Sequence, residues 1–400
     1  MTISRRKFIQ TGTLASASLM IPSFLKGFEY RTDIPVPSNK ILVVVQLSGG
    51  NDGLNTVIPF RNDIYYSQRQ KISINTDAVL KFNDEIGLNP ALKGLRRLYD
   101  DGRVSILNGV GYPQPNRSHF RSMEIWQTGS SANENIDTGW IGRYLDNTKP
   151  ERNIHSTIAL EIDDALSLAL KGEETNAIAI RDINQFYKAT SNSFFKNLAS
   201  HSEEHNEKLA GYLYKTLRES TAAADYVYEK SKIYSSAQTY PDTPLGKRMK
   251  TIGSLIVSNA DTRIYYVSHD GFDTHVNQNE RQNKLLGQLD DALIALHTDL
   301  KTNNRADDVL IMVFSEFGRR VAQNASNGTD HGTANNMLFI GGGLKKPGLY
   351  NNIPSLTDLD EGDLKYQIDF RQTYATVLDK WLQTNSKNIL YKKFELLDFI

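Results

Sequence analysis

The chain has 400 residues, 39% of them hydrophobic and 23% charged, which is enough apolar material for a large core and argues against a disordered protein. Lys and Arg number 46 against 46 Asp and Glu, so composition does not point to a nucleic-acid binder. Cys is 0, which excludes disulfides, thiolate metal sites, cysteine nucleophiles and a lipoprotein anchor.

In chain order, the first segment reads as an address. Arg5 and Arg6 precede a weakly apolar Ala, Ser, Thr and Leu stretch reaching Leu25, with no acid before Glu29. SRRKFIQ resembles the twin-arginine signature of bacterial export, so residues 1–26 are expected to be a signal peptide and the protein to reach the periplasm, the cell surface or the medium. Residues 27–39, with two prolines, read as a linker. No later apolar run is long enough to span a membrane, so no span is expected beyond the signal.

Ile41 to Leu47 is a continuous, β-branched apolar run, the pattern of a strand buried on both faces, and it ends in the Gly-rich loop Ser48-Gly49-Gly50-Asn51-Asp52-Gly53. Ala91–Asp101 reads as a helix and Val104–Leu107 as a strand. Ile264–Val267 is a strand, and Asn279–Leu300 is a helix with leucines at spacings of three and four. Val309–Phe314 and Met337–Ile340 are further strands, and Tyr374–Leu382 closes the chain as a helix. Strands alternating with helices predict an α/β protein with a mostly parallel sheet covered on both faces. Residues from about 150 to about 245 are expected to form an inserted helical and strand cap region on a domain spanning 40–400.

Polar clusters fall where the chain leaves strands, the edge at which open α/β sheets bind ligands. Ser48, Asn51 and Asp52 form the first, and Asn116-Arg117-Ser118-His119-Phe120-Arg121 the second. Asp270, Asp273 and His275 form the third, Glu316 with Arg319 and Arg320 the fourth, and Asp330-His331-Gly332 the fifth. Carboxylates and imidazoles without thiols suit Zn, Mn, Mg or Ca. Asp52, Asp273, His275, Asp330 and His331 are the expected metal ligands. Ser118, His119 and Glu316 are the expected catalytic groups. Asn116, Arg121 and Arg319 are the expected substrate contacts. The bland roles are helix caps for Asp273, Thr274 and Ser118, a turn at Asp330-His331-Gly332 and solvated surface for the arginines. His155, His201, His205 and His297 read as cap or helix-surface residues. Gly49-Gly50 lacks the GxGxxG spacing of a dinucleotide site.

Taken together, QLSGGNDGLNTVIP, NRSHFRSMEIWQTG, TGWIGRYL, GFDTHVNQ, FSEFGRRV, TDHGTANNMLFIGGG and DFRQTYATVLDKWL resemble the exported bacterial proteins of domain of unknown function 1501. That family is similar to the alkaline phosphatase and sulfatase superfamily. The resemblance implies an alkaline phosphatase-like three-layer sandwich and metal-dependent hydrolysis of phosphate or sulfate esters, with a small-molecule or polymer ester as substrate. It implies one or two divalent ions, or none. Asp52 or Asn51 would take the first-strand ligand place, Ser118 the nucleophile place, Asp273 and His275 the Asp and His pair, and His331 the late His place. Arg121 and Thr128-Gly129 resemble the helix that follows a sulfatase nucleophile, with a one-residue offset. Two positions depart: Glu316-Phe317-Gly318 stands where the superfamily has Asp-His-Gly, and no Asp directly ends the first strand. The Phe317 departure supports the alternative, a non-catalytic binding or assembly protein with an exported partner. The absence of cysteine excludes formylglycine chemistry.

Overall fold

The computed structural model describes residues 40–148, 157–193, 195 and 208–400. The signal peptide and linker readings, and His155, His201 and His205, lie outside the described residues.

The first apolar run forms β1 (Ile41–Ser48). Its odd residues Val43 and Val45 and its even residues Leu42 and Val44 all have zero exposure and belong to two separate cores. Side chains alternate across a strand, so each face of β1 feeds one layer. The odd face packs with α1 (Lys93–Asp100), α6 (Pro244–Val257) and α7 (Gln278–Thr302), through residues such as Leu95, Met249, Leu286 and Leu293. The even face packs with α2 (His119–Thr128), α3 (Trp140–Thr148) and α8 (Phe370–Thr376), through Trp126, Trp140 and Tyr374. The result is a three-layer α/β sandwich, as expected. Each fully buried Leu or Val contributes about 1.5–3 kcal/mol.

The central sheet has nine strands among the described residues. Besides β1 these are β2 (Val104–Gly111), β3 (Ala159–Glu161), β4 (Ile178–Ala179), β5 (Ile264–Asp270), β6 (Val309–Phe314), β7 (Asn335–Gly341), β8 (Gly348–Leu349) and β9 (Ile368–Asp369). The order is β8-β2-β7-β6-β1-β5-β3-β4, with β9 also on β2. β1 pairs in parallel with both β5 and β6, with Gln46 opposite Ser268 and Phe314. Only β7 runs against its neighbours β2 and β6. The carboxyl ends of β1, β5 and β6 therefore lie side by side.

Two elements exceed their sequence signals. β2 continues to Gly111 because Asn108 is tied to Asn351 by side-chain bonds, while the pairing with β7 absorbs an irregularity between Asn335 and Met337. The helix expected over Tyr374–Leu382 starts four residues earlier, at Phe370, because Asp369 and Gln372 form a capping box, ends in a π turn over Val377–Trp381, and is followed by a further short helix, Ser386–Leu390, so it does not close the chain. Within the 150–245 span, β3 and β4 extend the sheet edge, followed by α4 (Ile183–Thr190) and α5 (Lys208–Ile233). His297, expected on a helix surface, is buried on α7. No helix among the described residues is long and apolar enough to cross a membrane.

Candidate metal centre

Four segments meet at the carboxyl edge: the start of α2 with His119, the loop after β5 with Asp273 and His275, the turn after β6 with Glu316, and the loop before β7 with Asp330 and His331. An antiparallel bridge between Arg319 and His331 folds the last two together. The loop after β5 is not spent on capping. The N-cap of α7 is Asn277, in a left-handed conformation, so Asp273 is free to face inward.

Four donor atoms converge. Asp273 Oδ1 lies 3.0 Å from His275 Nε2, 3.3 Å from His331 Nε2 and 3.6 Å from His119 Nε2. The Nε2 atoms of His275 and His331 are 3.0 Å apart. In a tetrahedral zinc site with Zn–N near 2.0–2.1 Å, neighbouring ligand atoms stand about 3.3 Å apart. His119, Asp273 and His331 offer one ligand atom each within 4.8 Å of one another.

The back of each ring is held. His119 Nδ1 faces Glu316 Oε1 at 2.8 Å, His275 Nδ1 faces Asp330 Oδ1 at 3.3 Å, and His331 Nδ1 faces the Arg117 carbonyl at 2.8 Å. An acceptor at Nδ1 places the proton there in the neutral ring and leaves a lone pair on Nε2, the arrangement of metal-binding histidines. The Arg319 guanidinium meets the same cluster, at Asp273 Oδ1 (2.6 Å) and near His275 Nε2 (3.5 Å), so the cluster already has one positive neighbour on its buried side. His119 Nε2 is buried and has no hydrogen-bond partner. The donor set fits a divalent ion of the zinc or manganese kind.

Charge follows the same logic. The Glu316 hydrogen bond raises the His119 pKa against the opposing effect of burial. Burial lowers that of His331. Burial pushes the Asp273 carboxyl up, but the Arg319 bond and charge, with His275 and His119, outweigh it and hold the group at about 2. The Asn324 hydrogen bond, with His275, lowers the Asp330 carboxyl.

Several expected residues stand elsewhere. Asp52, expected as a ligand, is buried away from the cluster. Its Oδ2 pairs with Arg69 Nη1 at 2.6 Å and accepts from Gln278, and its Oδ1 caps Leu54 N at 3.1 Å. Asn51 bonds Thr56 and Gln282. Asp330 stands behind His275 rather than among the converging donors. Arg319, expected at the substrate, has no side-chain exposure. It bonds the carbonyls of Gly49, Gly50, Phe272 and Thr329, and Asp273 Oδ1 at 2.6 Å, so it ties the ligand loops together. Arg121 bonds the Ala132 and Glu134 carbonyls and Glu124, which fixes the loop after α2. Asn116 accepts from Ser118 N at 2.8 Å and shapes the entry to α2. Ser118 is the exposed N-cap of α2, and its side chain makes no capping bond. Arg69 and Gln278 carried no sequence signal, since a buried charge partner cannot be recognised without its fold. His119, expected as a catalytic group, stands among the converging atoms with Glu316 behind its ring.

A family model described as Protein of unknown function (DUF1501) matches residues 106–392. The chain belongs to this family. The matched span holds His119, Asp273, His275, Glu316, Arg319, Asp330 and His331, so every donor of the centre lies inside it. No curated protein matches the chain. Solved structures similar to this DUF1501 chain include the lipoteichoic acid synthase LtaP from Listeria monocytogenes, with 10% identity, TM-score 0.39, and coverage of 90% of this chain and 74% of that one. The C-terminal periplasmic domain of EcEptC from Escherichia coli, in complex with Zn, has 11% identity and TM-score 0.39, covering 90% and 92%. A phosphonate monoester hydrolase from Silicibacter pomeroyi has 10% identity and TM-score 0.39, covering 86% and 73%. At that level of similarity none of their chemistry carries to the DUF1501 chain, whose own donors have to support any reading.

Proposed function

We propose that the protein is an exported, metal-dependent hydrolase of phosphate or sulfate esters. The observation that carries this reading is the convergence of His119 Nε2, Asp273 Oδ1, His275 Nε2 and His331 Nε2, with His119 Nε2 buried and without a partner. These four atoms would hold the ion. When bound, a divalent ion polarises phosphoryl or sulfuryl oxygens and neutralises their charge.

The chain supplies the rest. Ser118 stands next to His119 at the start of α2, and no bond occupies its hydroxyl among the described residues. The helix N-terminus favours an anionic ester there. Ser118 would be the attacking hydroxyl. Glu316, Asp330 and the Arg117 carbonyl keep the three rings oriented, and Arg319 keeps Asp273 ionised and in place. Arg319 is a positioning residue because it cannot reach a substrate.

A second reading is a non-catalytic binding or assembly protein. Phe317 favours it: its ring packs 4.8 Å from both His119 and His331 and takes space at the centre.

The deciding experiment is elemental analysis of natively exported wild type and of Asp273→Ala/His331→Ala, with assays on phosphomonoester, phosphodiester and sulfate ester substrates. Stoichiometric metal lost in the variant, with ester cleavage by wild type, is expected. A wild type free of metal, with the variant still folded, would leave the binding reading.

A further inference from the structure

The first Gly-rich loop supplies no ligand to the centre, but Ser48 at its start keeps a hydroxyl hydrogen that no described residue accepts. Gln46 and Ser48 lie on the same face of β1, two residues apart, under α2. Gln46 Oε1 accepts from Tyr266 OH and from Gln127 Nε2 at the far end of α2. Two donors on Oε1 fix the amide, so its other end must donate. Gln46 Nε2 donates to Ser48 Oγ at 2.9 Å. The Ser48 hydroxyl is thus an acceptor inside the protein, and its own hydrogen has no acceptor among the described residues. A hydroxyl has one donor and two acceptor positions, and here the donor is the one left open.

The position of Ser48 gives that donor a use. Ser48 ends β1 opposite Asp270 and is half-buried. The next residue, Gly49, donates its N–H to Glu316 Oε1 at 2.9 Å, the same oxygen that faces His119 Nδ1. Ser48 O accepts from Phe272 N, one residue before Asp273. On α2, His119, Met123 and Gln127 fall four residues apart and share one row. That row leads from the metal donors at His119 to the Gln46 amide, alongside the strand that ends in Ser48.

We propose that Ser48 is a substrate-binding residue, its hydroxyl donating a hydrogen bond to an oxygen of the bound anion, and that Gln46 is the residue that turns it outward. This rests on the hydrolase reading, since the ligand class is the phosphoryl or sulfuryl group of the ester. Gly49, next to Ser48, shares Glu316 Oε1 with His119, which sets the end of β1 beside the centre.

The probe is inorganic phosphate, titrated calorimetrically into metal-loaded, natively exported wild type, Ser48→Ala and Ser48→Thr, with metal content and thermal midpoint measured on each. A hydrogen bond to a charged group corresponds to about tenfold or more in affinity. Ser48→Ala is expected to raise the phosphate Kd at least that much with metal content unchanged, and Ser48→Thr, which keeps the hydroxyl, to stay close to wild type. Equal Kd for wild type and Ser48→Ala overturns the assignment of Ser48 and leaves the hydrolase reading intact. Equal weakening in Ser48→Ala and Ser48→Thr overturns it too, because packing would then be the cause. A metal-loaded wild type that binds no phosphate, and no sulfate in a parallel titration, overturns the hydrolase reading and this one with it.

Discussion

Glu316 Oε1 sits 2.8 Å from His119 Nδ1 and 2.9 Å from Gly49 N, so one buried carboxylate fixes both an imidazole of the centre and the loop leaving the first strand. The side chain of Glu316 has no exposure. A carboxylate behind a histidine orients the ring and raises its basicity, which suits metal ligation and, without metal, favours protonation.

In metal-free protein this pair gives a pH signature. The folded His119 pKa is raised, chiefly by the Glu316 bond. Its stabilising contribution is therefore complete below the unfolded value of about 6.5, and is lost as pH rises through the raised folded value. Glu316→Gln keeps the shape and removes the charge. Urea unfolding of the metal-free protein from about pH 5 to about pH 9 should show wild type losing this contribution with rising pH and Glu316→Gln showing a flatter profile. Parallel profiles would mean that the pair does not couple to folding.

Asp330 tests orientation rather than ligation. It stands 3.3 Å behind His275 Nδ1 and also accepts from Asn324. Removing such a partner typically weakens metal binding by about 10–100-fold. Asp330→Asn should therefore retain the stoichiometry of wild type at saturating metal but weaken the Kd by that factor in a chelator competition. His331→Ala, which removes a donor, should weaken binding further. If Asp330→Asn were as damaging as His331→Ala, Asp330 would belong with the donors themselves.

The division between what was legible and what was not follows from period and partner. Continuous apolar runs such as Ile41–Leu47 and Val309–Phe314 announce buried strands, and the leucines of residues 279–300 announce a helix, because these patterns reflect local geometry. The donors Asp273, His275 and His331 were legible as polar groups at strand ends. The role of Asp52 was not, since its carboxylate resembles a ligand until Arg69, distant in the fold's logic, closes on it. The adjacent arginines were also inseparable by sequence: Arg319 is buried against four carbonyls while the Arg320 side chain stays partly exposed. The start of α8 at Phe370 was written in Asp369 and Gln372, a capping signal that apolar spacing does not register.

Asp52 and Arg69 form an ion pair with no exposure on either side chain. Removing one partner of a buried pair leaves the other charge uncompensated and costs about 3–5 kcal/mol. Asp52→Ala should lower the stability of the folded protein by roughly that amount in denaturant titration. Metal content per folded chain should stay at the wild-type value, because Asp52 faces Arg69, Gln278 and Leu54 N rather than the centre. Metal loss at full folding would return Asp52 to the ligand set.

Asp273 combines both kinds of consequence. One oxygen of its carboxylate, Oδ1, meets both the three imidazoles and Arg319. The folded value of about 2 lies below the unfolded value near 3.9, so its contribution is present above about pH 4 and is lost as pH falls through about 2. Asp273→Asn keeps the size of the side chain and can still accept from Arg319, but carries no charge. The metal-free variant should lack this part of the acid-induced loss of stability between about pH 4 and about pH 2. The same variant should bind zinc or manganese more weakly than Asp330→Asn, since a donor is lost rather than a partner behind one. Acid titration of stability and metal competition on one sample would separate the two effects: an unchanged acid profile with lost metal would place Arg319 away from Asp273 in solution, whereas a changed profile with full metal affinity would remove Asp273 from the centre.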